Sequence, residues 1–395
     1  MLRKLGTLNF IDHFKYGALT VAIPLYLVSK GIDVGEIGLI LSLFPLAFVI
    51  VRVISSVYAD VRGVKPFFIG SSIFQVISNI IYLFAVTPLQ FGIGKLSDGV
   101  GFAFFWAVDR TAIMARSHSK KDLLIMSVVR AFAAALGLLS AGFFIAFVSF
   151  EMVFSLLVGM GLVGAYVSIM LVNRGATLKK PDWKNLFVVR KRQKHFWEVS
   201  ACVLLLAVPF SALFSFLLPV MMDVEFGMGY LEVAIMLTAF YAAAGLGSLL
   251  SVRMKMEEKK LIFFQLMGIL MVIMLPFSGP YFSAVLVLSG LGFGVCFGMS
   301  EAMLGYISEA GKGVSSRIAM LIMPTNIALF FVLAGAGFSV EMFGDEPIFI
   351  LCAVMLAGFV FLSKRVIEDF DGTQKAREKQ MMEYHPHQGP ASIRH

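Results

Sequence analysis

The sequence predicts an all-α integral membrane protein of twelve transmembrane helices in two pseudo-symmetric six-helix bundles. Three observations predict it: an apolar composition, regularly recurring runs long enough to span a bilayer, and basic residues gathered on one side of those runs. Of the 395 residues, 59% are hydrophobic and 15% are charged, and the mean hydropathy is +0.87, which excludes an ordinary soluble domain. A hydrocarbon core about 30 Å thick takes about 20 apolar residues in helical form. Such runs lie at 5–28, 36–58, 67–87, 89–109, 123–148, 152–172, 196–222, 230–252, 261–281, 283–306, 318–340 and 347–363. The last is barely long enough. Arg3 and Lys4 could open a signal peptide, but no small-residue cleavage site follows, so the first run reads as a retained helix.

Lys and Arg concentrate in cytoplasmic loops. With the N-terminus inside, all 33 of them fall on that side except Lys30 and the in-span Lys15, Arg52, Lys95 and Arg130. Both termini are therefore expected in the cytoplasm, with the chain in the plasma membrane. The formal net charge of +8 then reflects orientation and anionic lipid rather than nucleic-acid binding. Cys202, Cys296 and Cys352 lie far apart in apolar runs, which suggests neither a metal site nor a disulfide framework.

The longest polar interruption, 174–195, divides the chain into an N-terminal half, 1–173, and a C-terminal half, 196–363, leaving a polar tail, 364–395, expected to be disordered. The halves repeat weakly: Pro24, Gly31 and Glu36 match Pro219, Gly227 and Glu232; Gly142 matches Gly337; Gly99 and Gly101 match Gly292 and Gly294. Two such halves imply a pseudo-twofold axis along the membrane normal, with a solute pathway between them.

Between the second and third runs the chain reads "SSVYADVRGVKPF". Gly63 permits a tight turn, Asp60 is placed to cap the third helix, and Arg62 and Lys65 hold the loop inside. Asp60, Gly63 and Lys65 resemble the signature loop of the major facilitator superfamily, although Val61 and Val64 stand at its usual arginine positions. In the fourth run "GKLSDGVGFAFFWA" resembles a second family pattern, with Lys95 at its basic position and Asp98 in place of a glutamine. The fifth run lacks the Gly-Pro of the family's antiporters. The resemblance implies the family's two-bundle fold, with helices 1 and 5 adjacent, and a signature loop that engages an acidic residue at the inner end of helix 4, here Asp109.

An ionisable group near mid-bilayer costs at least about 2.5–3.5 kcal/mol, so each should face a partner or a water-filled cavity. In the first run Asn9, Asp12, His13, Tyr16 and Thr20 fall within a sector of about 100°, from whose centre Lys15 points away by roughly 110°. Asp12 and Arg130 lie at similar depths on helices 1 and 5 and are expected to pair. Arg52, Asp109 and the Asp60 loop are expected to form an inner latch, and Lys95 and Asp98, three apart, to share a helix face. Glu301 falls one position from the repeat counterpart of Asp109, as a second latch or a pathway residue. Lys15 has no evident place. Pro324, Thr325 and Asn326 are expected to break helix 11. Candidate solute and coupling residues are accordingly Asp12, His13, Tyr16, Lys95, Asp98, Arg130 and Glu301.

Neither GxxxxGK[ST] nor HExxH occurs, so ATP drive and metal-dependent hydrolysis find no support. The expected function is secondary transport of a small solute by alternating access, coupled to protons, with a monomeric protein and no cofactor or metal. The excess of Lys and Arg over Asp among the buried groups of the first half favours a solute with an anionic group. Two alternatives stand beside it: a proton-coupled efflux pump for drugs and amphiphiles, suggested by 23 Met and 39 Phe, and a polytopic membrane enzyme or receptor.

Overall fold

A computed structural model describes residues 2–114, 120–173, 180–181, 183, 195–253, 258–307 and 314–384. Most of the expected linker, and the tail beyond 384, lie outside the described residues. Among the described residues twelve long helices follow one another: α1 (Leu2–Ser29), α2 (Val34–Arg62), α3 (Lys65–Phe84), α4 (Pro88–Met114), α5 (Lys120–Phe147), α6 (Phe150–Ile169), α7 (Phe196–Val224), α8 (Tyr230–Arg253), α9 (Glu258–Met274), α10 (Phe282–Ile307), α11 (Val314–Phe343) and α12 (Glu346–Tyr384). Among the described residues, ten are long and apolar enough to cross a membrane. The other two are α1 and α4, where Asp12, His13 and Lys15 in one and Lys95, Asp98, Asp109 and Arg110 in the other interrupt the apolar run.

The helices begin and end close to where hydropathy places them, because loop residues enforce the ends. Gly31 and Gly227, matched in the repeat, close the first connection in each group of six with φ of +70° and +59°, values that favour glycine. Gly63 ends α2 at φ +77°. Within the first six helices α1 packs on α5, and α4 on α2 and α3; within the last six α10 packs on α8 and α9, and α7 on α11 and α12. The two groups meet along α2 against α11 and α5 against α8. Glycines set these distances: a Cβ on Gly38 would stand 2.6 Å from the Leu333 carbonyl oxygen, and one on Gly337 would stand 2.6 Å from that of Val34.

Two expectations need correction. Helix α11 is unbroken through Pro324, Thr325 and Asn326: Pro324 withholds a single N–H, the one that would reach the Met320 carbonyl, and the helix continues past it. The irregular turn lies in α7, where Leu213–Leu217 is π-helical and the Leu218 N–H reaches Leu213 O. Pro219, which has no N–H to offer Ser215, accounts for the wide turn. At the C-terminus, α12 runs on to Tyr384, so the segment 364–384 is helical rather than disordered, in keeping with its Lys, Arg, Glu, Gln and Met content.

Gly337→Val should push α11 from α2 and destabilise the protein by about 1–3 kcal/mol, read as a lower thermal midpoint of the purified protein. Gly335→Val, where a side chain would meet open space, should leave the midpoint unchanged.

Candidate functional site

Where the two groups of six face each other, a cavity of about 90 Å³ is lined by Tyr16, Leu19 and Thr20 of α1, Leu41, Phe44 and Pro45 of α2, Lys95, Asp98 and Phe102 of α4, Ser211 and Ser215 of α7, and Leu329 and Leu333 of α11. Ser215 belongs to the π-helical turn, a kind of distortion often found at functional sites because it re-aims side chains. Tyr16 neighbours Ser215 and Tyr241 across the two groups.

The cavity's charge comes from three buried residues. The Lys15 ammonium is ion-paired with Asp98 and lies 4.7 Å from the Phe102 ring centre. Lys95 stands 3.8 Å from the other Asp98 oxygen and 5.7 Å from the Phe44 ring. Lys15 therefore has its place: pointing away from the polar face of α1 means pointing at α4. Asp98 is thus shared between Lys95, which lines the cavity, and Lys15, which does not and which also lies within electrostatic reach of Asp12.

Nearer the face that holds both helix termini, called the terminal face below, lies a second buried network, and it differs from the expected Asp12–Arg130 pair. Arg130 is ion-paired with Asp109, and its Nε donates to the Asn9 side-chain oxygen at 2.8 Å. The Asn9 amide in turn donates to the other Asp109 oxygen at 2.8 Å. One turn up α1, Asp12 accepts from the Gln75 amide of α3 at 2.7 Å. His13 shares a hydrogen bond with the Asn9 carbonyl at 3.0 Å and its Nδ1 lies 3.7 Å from Asp12. Gln75 and Asn9 escape a search for charge, but Ser71, Ser72, Gln75, Ser78 and Asn79 are all buried on α3, a polar stripe visible at helical spacing.

The terminal face is held shut by contacts between the two groups. Ser316 at the start of α11 donates to Asp60 at 2.6 Å, Thr111 meets Ser315 at 2.5 Å, and one Nη of Arg110 reaches both Glu301 oxygens, at 2.7 and 2.9 Å. On the opposite face the Gly35 N–H donates to Glu341 at 2.7 Å.

A family model described as Major Facilitator Superfamily matches residues 5–304. The chain belongs to the major facilitator superfamily. Solved structures agree in fold. A mutant of the nucleoside transporter NupG superposes with TM-score 0.70 at 14% identity, covering 92% of this chain and 99% of that one. A mutant of the E. coli fucose:proton symporter FucP gives TM-score 0.69 at 14% identity, covering 92% and 98%. No curated protein sequence matches. The protein is thus a multi-pass secondary transporter of this superfamily rather than an enzyme, and it handles a small-molecule solute.

Within that family frame, the signature loop behaves differently from the sequence expectation. Asp60 meets the first turn of α11 instead of capping α3. The start of α3 is fixed by Asn173, which accepts from the Lys65 N–H at 3.1 Å and donates to the Arg62 carbonyl at 2.8 Å. Arg62 itself lies over the Tyr58 ring at 5.9 Å. The Arg52–Asp109–Asp60 latch is absent: Asp109 is taken by Arg130, Asp60 by Ser316, and Arg52 sits between Phe48 and Trp106. Glu301 belongs to Arg110, not to a second-half latch.

Asp109→Asn leaves the Arg130 guanidinium without its counter-charge and should cost about 3–5 kcal/mol, seen as lost folded yield and a lower thermal midpoint. Adding Arg130→Gln should recover part of that loss. Asp12→Asn, whose partner is an amide, should cost far less; equal losses from the two carboxylate variants would contradict this assignment.

Proposed function

We propose that this transporter carries a small solute with one anionic group and an apolar body, bound through Lys95 in the cavity between two halves, 1–173 and 196–363, joined by the linker 174–195. The halves rock about the solute to expose it alternately to each side. The observation that carries this reading is Lys95 at the cavity wall, whose carboxylate neighbour Asp98 is also ion-paired with Lys15. Lys15 takes the closer oxygen, which leaves Lys95 the freer cation, and Phe44, Phe102, Leu329 and Leu333 supply an apolar surface for the rest of the solute.

The coupling ion in this reading is a proton, as in the name of the structural neighbour FucP, and Asp12 is its carrier. That carboxyl is buried, with one oxygen held by Gln75 and the other without a hydrogen-bond partner. The terminal face is cytoplasmic and the membrane is the plasma membrane, because basic residues gather on that side. A monomer suffices, since the cavity is completed within one chain.

The test is a thermal-shift series on the purified protein with carboxylates, each beside its neutral amide and its cationic amidine, for example benzoate, benzamide and benzamidine. Ligand bound at 100 times its Kd stabilises by about 2.7 kcal/mol. Only the anions should raise the midpoint, and Lys95→Gln should abolish the rise. Stabilisation by the cations alone would favour the efflux of lipophilic amines instead.

Opening of the terminal face should require the Arg110–Glu301 pair to part. Glu301→Gln should therefore speed labelling of a cysteine placed at Ser211 by a polar thiol reagent, by about twofold if the pair contributes about half a kcal/mol to closure, as half-exposed ion pairs do. Unchanged labelling would remove that pair from the gate.

A further inference from the structure

We infer that Arg52 is a second, transient site for the solute's anionic group, on the route between the cavity and the terminal face. The inference rests on the anionic-solute reading above. Arg52 is 4% exposed, and its Nε has no hydrogen-bond partner. Its guanidinium lies 5.2 Å from the Phe48 ring and 6.0 Å from the Trp106 ring. The charged residues facing it are Arg110 and Asp109, and both are already engaged: Asp109 by Arg130, Arg110 by Glu301. Three guanidinium groups thus share two carboxylates, and Arg52 is the one left over among the described residues.

A buried cation without a counter-charge is costly. A hydrophobic residue at position 52 would pack between the same aromatic rings without that cost, so the charge needs a partner that arrives and leaves. The planar fork of arginine matches a carboxylate or phosphate better than an ammonium does.

Position supports the same conclusion. Arg52 lies eight residues beyond Phe44 on α2, about 12 Å along the helix toward the terminal face, and Trp106 lies one turn beyond Phe102 on α4. Phe44 and Phe102 line the cavity and meet edge-on at 5.4 Å, Phe48 stacks on Phe44 at 5.9 Å, and Arg52 lies against Phe48. Farther on, Arg317, beside the Ser316 that holds Asp60, also has Nε and one Nη atom without hydrogen-bond partners. An anion released from Lys95 when the terminal contacts part meets Arg52 next.

Trp106 makes the site observable. Of three tryptophans, Trp183 and Trp197 are exposed, and Trp183→Phe with Trp197→Phe leaves Trp106 as the sole emitter. Iodide should quench it saturably. Arg52→Gln should lower the iodide quenching constant by about tenfold, the loss expected for one buried charge partly screened by water, while neutral acrylamide quenches both proteins alike. Arg52→Lys, which keeps the charge, should retain most of the iodide effect. Non-saturable iodide quenching in the parent protein, or equal quenching in Arg52→Gln, would overturn the proposal; either is the result if Arg52 serves only to receive Asp60 in an open state. Lys95→Gln separates the two readings, since it should abolish stabilisation by carboxylates yet leave iodide quenching of Trp106 intact. If carboxylates fail to stabilise the protein while iodide binding still depends on Arg52, the solute assignment falls and the anion site stands.

Discussion

A charge placed at mid-membrane depth costs at least about 2.5–3.5 kcal/mol on insertion scales, and α1 and α4 carry Asp12, Lys15, Lys95, Asp98 and Asp109, all at least nine-tenths buried. Neither helix is apolar enough to stand as a span by itself. Each needs the charges of the other: Lys15 of α1 neutralises Asp98 of α4, and Asn9 of α1 completes the Asp109–Arg130 pair between α4 and α5. These polar contacts tie α1 and α4 together although the two helices otherwise touch sparingly. The other ten helices are apolar enough to cross a membrane by themselves, and three of them, α2, α7 and α11, line the cavity beside α1 and α4.

That division explains how much could be read from the residues in order. Span number, span boundaries and the adjacency of α1 and α5 follow from apolar run length and family likeness, because these depend on local composition and chain length. Partner choice does not. Asp12 and Arg130 lie at matching depths on neighbouring helices, yet the residue of α1 that meets Arg130 is Asn9, one turn away. Depth along a helix is fixed at about 1.5 Å per residue, but the rotation of α1 about its own axis is set by all its neighbours together. The same rotation decides the role of Lys15: helical spacing turns it away from the polar face of α1, but which helix stands on that side depends on the packing. The wide turn of α7 had a signal in Pro209 and Pro219, whereas Pro324 left α11 intact, so proline alone does not tell a kink from a tolerated gap in the ladder.

Internal symmetry is sharper in space than in sequence. On α4, Gly99 lies against the backbone of α2 and Gly101 against α3; on α10, Gly290 lies against α8 and Gly292 against α9. Contacts thus pair Gly99 with Gly290 and Gly101 with Gly292, two residues away from the register that sequence matching suggests. The corrected register makes Arg110 the counterpart of Glu301, 191 residues on. Symmetry-related positions near a twofold axis face each other, so opposite charges at the two positions form an ion pair across the interface where like charges would repel.

The two faces are closed by different physics. On the terminal face the contacts are polar and ionic, reached by side chains of α2, α4, α10 and α11, and water can replace each of them as the helices part. On the opposite face closure depends mainly on backbones brought together at Gly38 and Gly337, where dispersion falls off within about an ångström, with the Glu341 carboxylate reaching across to the Gly35 N–H. A small tilt of one half against the other therefore loses the glycine contact abruptly, while side-chain contacts stretch before they break. Between the two faces the Lys15–Asp98 pair stays within the first six helices. These central charges thus belong to one group of six helices, and no contact between the two groups has to break for them to stay together.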